Sequence, residues 1–114
     1  MREIKFRAWD TALSKFFDGD ILNDYNLGDF LNDDRYIVTQ YTGLKDINGV
    51  EIYEGDIVNH FYRYYVGMDE VSEEMEVVEI KDLTHLPFDL STIGCEAIGN
   101  IYENKELLEA KGNE

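Results

Sequence analysis

At 114 residues, with 44% apolar and 13% aromatic side chains, the chain can bury a core within one domain, which excludes global disorder. Twenty-five acidic residues against ten basic ones give a formal charge of −15. That sign excludes a general binder of nucleic-acid phosphates and disfavours an anionic membrane face.

The first predicted element is a strand over 3–10, "EIKFRAWD". Ile4, Phe6 and Ala8 alternate with Lys5, Arg7 and Trp9, the period of two of a half-buried strand. Arg2, Lys5 and Arg7 are expected to form its solvated face. "TALS" predicts a turn and "KFFDGD" a return strand, so an N-terminal hairpin follows.

Residues 18–35 are acidic. Gly28 interrupts a loose helical spacing of Ile21, Leu22, Tyr25, Phe30 and Leu31, which predicts a short helix over 27–32 capped by a nearby Asn or Asp. "RYIVTQYTG" (35–43) predicts a strand from its β-branched and aromatic content.

"TGLKDINGVEIYEGDIV" (42–58) holds three glycines. Asp46 starts a type I turn, Asn48 suits its third position, and Gly49 takes positive φ to re-enter a strand. "VEIY" is then a short strand, "EGD" a second turn and "IVNHFYRYYV" a long strand. The stretch is turn architecture, because its glycines are too widely spaced to cradle a phosphate.

"DEVSEEME" (69–76) is expected to be a solvated turn or hairpin tip. "EVVEIKDL" and "CEAIGNIY" (95–102) alternate as strands, and Pro87 breaks any strand through "THLPFDL". Asn104 is the expected N-cap of a short terminal helix, "KELLEA", with Glu106 in its first turn.

Candidate chemistry is thin. Read from Asp18 or Asp46, the acidic loops put Leu22 or Val50 where the fifth calcium ligand belongs, and lack the glycine at the sixth position. His60 and His85 lack the cysteine or carboxylate spacing of a zinc site. Cys95, the sole cysteine, sits in an apolar strand and reads as a buried, inert thiol. The aromatic run at 60–66 with Arg63 could stack bases, but the surrounding charge favours packing. No nucleophile elbow, P-loop or dinucleotide pattern is present, so no catalytic, metal or cofactor residue is predicted. A charged start and the lack of any run of about 20 apolar residues lead us to expect a cytoplasmic protein.

"MREIKFRAWD", "QYTGLKDINGVEIYEGDIV" and "IGNIYENKELLE", in that order, resemble the YopX family of bacteriophage and prophage proteins. The family pattern has proline after the asparagine of the last motif. Lys105 stands there in this chain, so its helix start lacks the fixed φ that proline gives. The resemblance implies no established activity.

The expected fold is mainly β with short helices, in one domain. Residues 1–42 form an N-terminal hairpin and strand, and 43–103 a compact antiparallel sheet or small SH3-like barrel. Residues 104–110 form the terminal helix. The barrel reading rests on the likeness of the "GDIV" step to the turn that opens such barrels. The expected function is that of a non-enzymatic phage or prophage accessory protein acting by protein contacts, as a homo-oligomer or on a phage or host protein. The alternative is an acidic DNA mimic that occupies a host DNA-binding protein.

Overall fold

The computed structural model describes residues 3–68, 70–81 and 92–112; the side chains of 62–65, 92–93 and 110–112 are outside that description. The fold is mainly β: two antiparallel sheets, one curled into a half-barrel, with two short helices.

The first strand, β1 (Phe6–Asp10), turns through Thr11–Ser14 into β2 (Lys15–Phe16), with Trp9 opposite Phe16 and Asp10 opposite Lys15. Asp10 closes this turn by accepting the Ala12 and Leu13 N–H groups on Oδ1 at 2.9 and 3.1 Å. Helix α1 (Leu27–Leu31) is capped by Asn26, whose Oδ1 accepts the Gly28 N–H at 2.9 Å. The helix and its cap agree with the spacing of the sequence.

Strand β3 (Tyr36–Lys45) pairs with β1 on one side and with β4 (Glu51–Tyr53) on the other, giving a sheet of order β2-β1-β3-β4. Strand β5 (Asp56–Tyr65) is the centre of the second sheet, between β6 (Val71–Glu79) and β7 (Thr92–Asn100). Helix α2 (Glu106–Gly112) packs against β6. Hydrogen-bonded pairing therefore divides the chain between β4 and β5. The expected grouping of 43–103 into one sheet had placed β4 with the later strands.

Two further differences have physical reasons. The acidic run at 69–76 is mostly strand, because β6 pairs residue for residue with β5 from Ile57↔Glu79 to Tyr65↔Val71. Glutamates at exposed positions cost such a strand little, whereas the pairing satisfies its backbone. Asn104 does not cap α2 with its side chain; its Oδ1 accepts the Asn100 N–H at 3.3 Å, while its C=O takes the Leu107 N–H at 2.9 Å. Pro87 and His85 lie outside the described residues.

Among the described residues there are two cores. Ile52, Val58, Ile80 and Cys95 join β4 to the second sheet, with Val78 against them. Ala8, Ile21 and Phe30 form the other, closed by Phe6, Phe17, Leu27, Tyr36 and Val38 beneath α1. Among the described residues no helix is long and apolar enough to cross a membrane.

Candidate functional site

The three sequence motifs meet in space at the joint between the sheets. Arg7, on β1, points away from the α1 core and lies between two rings, 4.3 Å from Phe16 and 4.7 Å from Tyr53. Its Nη2 donates to Asp56 Oδ1 at 2.5 Å, and the Tyr53 N–H donates to the other carboxylate oxygen at 2.7 Å. Trp9 stacks on Tyr102 at 5.4 Å and meets Phe16 edge-on at 4.9 Å. The expectation that Arg7 belongs to a solvated face is therefore corrected: its side chain is 21% exposed, and that of Asp56 7%. Aromatic rings replace water around the guanidinium, as cation–π contact allows. Burial pushes the Asp56 carboxyl above its usual range, against the Arg7 charge and the Tyr53 bond that favour the anion.

Gly55 turns the chain into this joint with φ +90°, and a Cβ there would lie 3.1 Å from the Tyr102 ring. Its N–H donates to the Ile80 C=O at 2.7 Å, and its C=O accepts from Ile101 at 2.9 Å. A tight turn thus ties β4, β5 and both flanks of the second sheet at one point.

Asp46 makes a second tie. Its Oδ1 accepts the Asn48 and Val50 N–H groups at 2.8 and 2.9 Å, and its Oδ2 accepts the Ala97 N–H of β7 at 2.9 Å. The Ile47 N–H adds a bond to the Cys95 C=O at 2.9 Å. Burial raises the Asp46 pKa, but the three backbone donors outweigh it and leave the carboxyl below its usual range. The loop that carries the family-like glycines is a clamp on β7, and its carboxylate is committed to backbone donors.

The other residues weighed from sequence fall into structural roles. Asp20 caps its own turn through the Leu22 and Asn23 N–H groups, both at 3.0 Å. His60 is buried on β5, opposite Cys95 on one side and Glu76 on the other. Burial first, and then the Asp46 carboxylate, push the Cys95 thiol up, which disfavours the thiolate that nucleophilic or ligand chemistry needs. Among the described residues no group of three His, Cys, Asp or Glu is placed to hold a metal ion. Of the aromatic run, Tyr62, Arg63, Tyr64 and Tyr65 have side chains outside the described set.

The second sheet offers a different kind of surface. Strand β6 follows β5 to Tyr65, whereas β7 pairs with β5 only as far as Tyr62. Met68 is 98% exposed, Met75 59%, Val66 55% and Val71 46%. A groove of about 570 Å³ lies on the β5–β6 hairpin, with Phe61, Met75, Glu73 and Glu74 among its walls. Sequence periodicity missed the groove because Phe61 and Met75 become neighbours only through the β5–β6 register. The Arg7–Asp56 pair was missed too, although opposite charges inside two of the three sequence motifs were the available signal.

A family model described as YopX protein matches residues 21–109. The crystal structure of protein EF1440 from Enterococcus faecalis is similar to this chain, at 25% identity and a TM-score of 0.53, over 95% of this chain and 99% of that one. No curated protein matches. The first motif lies ahead of the matched span, yet Arg7 and Trp9 reach into it through Asp56 and Tyr102. With the later two motifs inside the match and the fold built on their contacts, the chain belongs to the YopX family.

Proposed function

We propose that this YopX family member is a non-enzymatic phage or prophage accessory protein that works by contact with other proteins. The observation that carries this reading is the exposed apolar end of the β5–β6 hairpin, where Val66, Met68, Val71 and Met75 face solvent. Exposed apolar side chains gathered on one hairpin end favour a docking role over a solvated one. The buried polar groups of the joint and of the Asp46 clamp are consumed in holding the sheets together, whereas the apolar side chains of the hairpin end are exposed.

The test uses the full chain as bait in a bacterial lysate, beside a Met68→Glu/Val71→Glu variant whose sites are exposed. Light scattering at low and moderate salt follows self-association, which screening would strengthen. The reading expects either assembly or a captured protein, lost in the variant. A monomer at every salt concentration, with identical captures by both baits, overturns it.

A second reading, an acidic DNA mimic, is favoured by one observation: Glu70, Glu73, Glu74, Glu76 and Glu79 line one hairpin strand and its approach. It expects the chain to compete with duplex DNA for a captured host protein, with competition weakened by salt.

A further inference from the structure

We propose that Asn48 is a site of spontaneous covalent modification: the Gly49 backbone nitrogen attacks its side-chain amide, and the isoaspartate that results releases the Asp46 clamp from β7. This proposal goes beyond the protein-contact reading, and neither depends on the other. Asn48 is the one asparagine of the sequence that a glycine follows. A Cβ on the following residue is the usual obstacle to such an attack, and glycine has none. Asn48, Gly49 and Val50 are all exposed, and no described atom beyond the chain neighbours lies within 4 Å of where a Gly49 Cβ would stand. The ring that must form therefore has room, and water reaches it.

The reaction needs only water. Water takes the Gly49 amide proton, the nitrogen bonds to Asn48 Cγ, and the Cγ–Nδ2 bond breaks as Nδ2 accepts a proton and leaves as ammonia. Water then opens the cyclic imide. Cleavage of the bond to Cγ gives aspartate; cleavage of the bond to the main-chain carbonyl gives isoaspartate, whose backbone runs through Cγ and is one atom longer. The folded turn holds the first step back, because the Gly49 N–H is committed to the Asp46 C=O at 3.0 Å. The rate is then governed by local opening of the turn. The product undoes that turn. The Asn48 and Val50 N–H groups share Asp46 Oδ1 at 2.8 and 2.9 Å, and the Asp46 N–H donates to the Val50 C=O at 2.8 Å. A backbone atom inserted between residues 48 and 49 displaces Val50 from both contacts. The Asp46 carboxylate thereby loses the hold that aims Oδ2 at the Ala97 N–H of β7, 2.9 Å away.

The test incubates the intact chain in neutral buffer, with and without unfolding urea, and follows position 48 by peptide mapping and mass spectrometry. Labelling by an isoaspartyl methyltransferase identifies the isoaspartate product. Expected is conversion of Asn48 ahead of every other asparagine in the folded chain, and about tenfold or more faster once urea has opened the turn, the scale of the hydrogen bonds lost. The modified form, separated by ion exchange, is expected to exchange its Ala97 amide hydrogen about tenfold faster than the parent, while the amides of β1 keep their rates. Asn48→Gln has to close a larger ring, so after the same incubation it should stay unmodified at position 48 and keep the parent's exchange at Ala97. That variant separates the modification from general ageing of the sample. The inference is overturned if Asn48 keeps its amide while other asparagines convert, or if urea leaves the rate unchanged. It is equally overturned if the isoaspartate form exchanges Ala97 at the parent's rate.

Discussion

Replacing Arg7 by methionine should unfold the joint far more readily than replacing its partner. Asp56 has a side chain 7% exposed and holds only the Arg7 guanidinium and the Tyr53 N–H. Arg7→Met keeps an apolar stem between Phe16 and Tyr53 but leaves a carboxylate buried with one neutral donor. Breaking a buried pair from the side that strands a charge costs about 3–5 kcal/mol. Asp56→Asn strands a guanidinium instead, and that group is 21% exposed and flanked by two rings, so water and π-faces compensate part of the loss. Its cost should be about 1–2 kcal/mol, the scale of a charged hydrogen bond partly replaced by hydration. Urea melts of both variants, and of Arg7→Met/Asp56→Asn, measure this, with the double variant recovering most of the loss. The pH dependence gives a second check. Burial raises the folded-state pKa of Asp56 above its unfolded value, and removing Arg7 raises it further. A carboxyl with a raised folded pKa contributes stability that is present below the unfolded pKa and lost as pH rises through the folded one. The Arg7→Met deficit relative to the parent should therefore shrink as pH is lowered from 7 toward 5. A deficit below about 1 kcal/mol at pH 7, or one equal to that of Asp56→Asn, would refute the argument that the stranded buried charge dominates.

Gly55→Ala should cost more than Gly49→Ala in urea melts. Both residues have positive φ, worth about 1 kcal/mol of strain, but only at Gly55 does the new Cβ meet the Tyr102 ring at 3.1 Å. Asp46→Ala removes the acceptor of three backbone N–H groups and should destabilise by about 3–5 kcal/mol, discounted for hydration of the exposed 48–50 turn; thermal melts give the value. Asp10, whose carboxylate takes the Arg35 fork through bonds of 2.9 and 2.8 Å, is held at a pKa of about 2, chiefly by that contact. Its folded pKa is depressed, so the stability is present above its unfolded value and lost as pH falls toward 2; Arg35→Met should flatten that acid limb.

Much of the outline was legible because it is local. Alternation marked β1 and β7, Asp18–Arg35 carried a capped helix, and the glycines at 49 and 55 announced positive-φ turns that the structure has at +83° and +90°. A turn depends on the conformational freedom of two or three residues, which their identity states directly. The family resemblance likewise rested on short runs with the right order.

What the sequence left open depended on partners distant along the chain. Arg7 and Asp56 are 49 residues apart, and Asp46 and Ala97 are 51 apart. Alternation says which way a side chain leaves its strand, and Arg7 was accordingly placed on the polar face. It does not say that a second sheet covers that face and turns an exposed cation into half of a buried pair. The glutamates at 73–76 show the reverse case: their charge suggested a tip, while backbone pairing with β5 made them strand. Sequence determines the local elements because their energetics are local. Only the tertiary structure decides which charged face is buried and which apolar side chains, Met75 beside Phe61 among them, are left at the surface, because burial belongs to surfaces brought together across the whole chain.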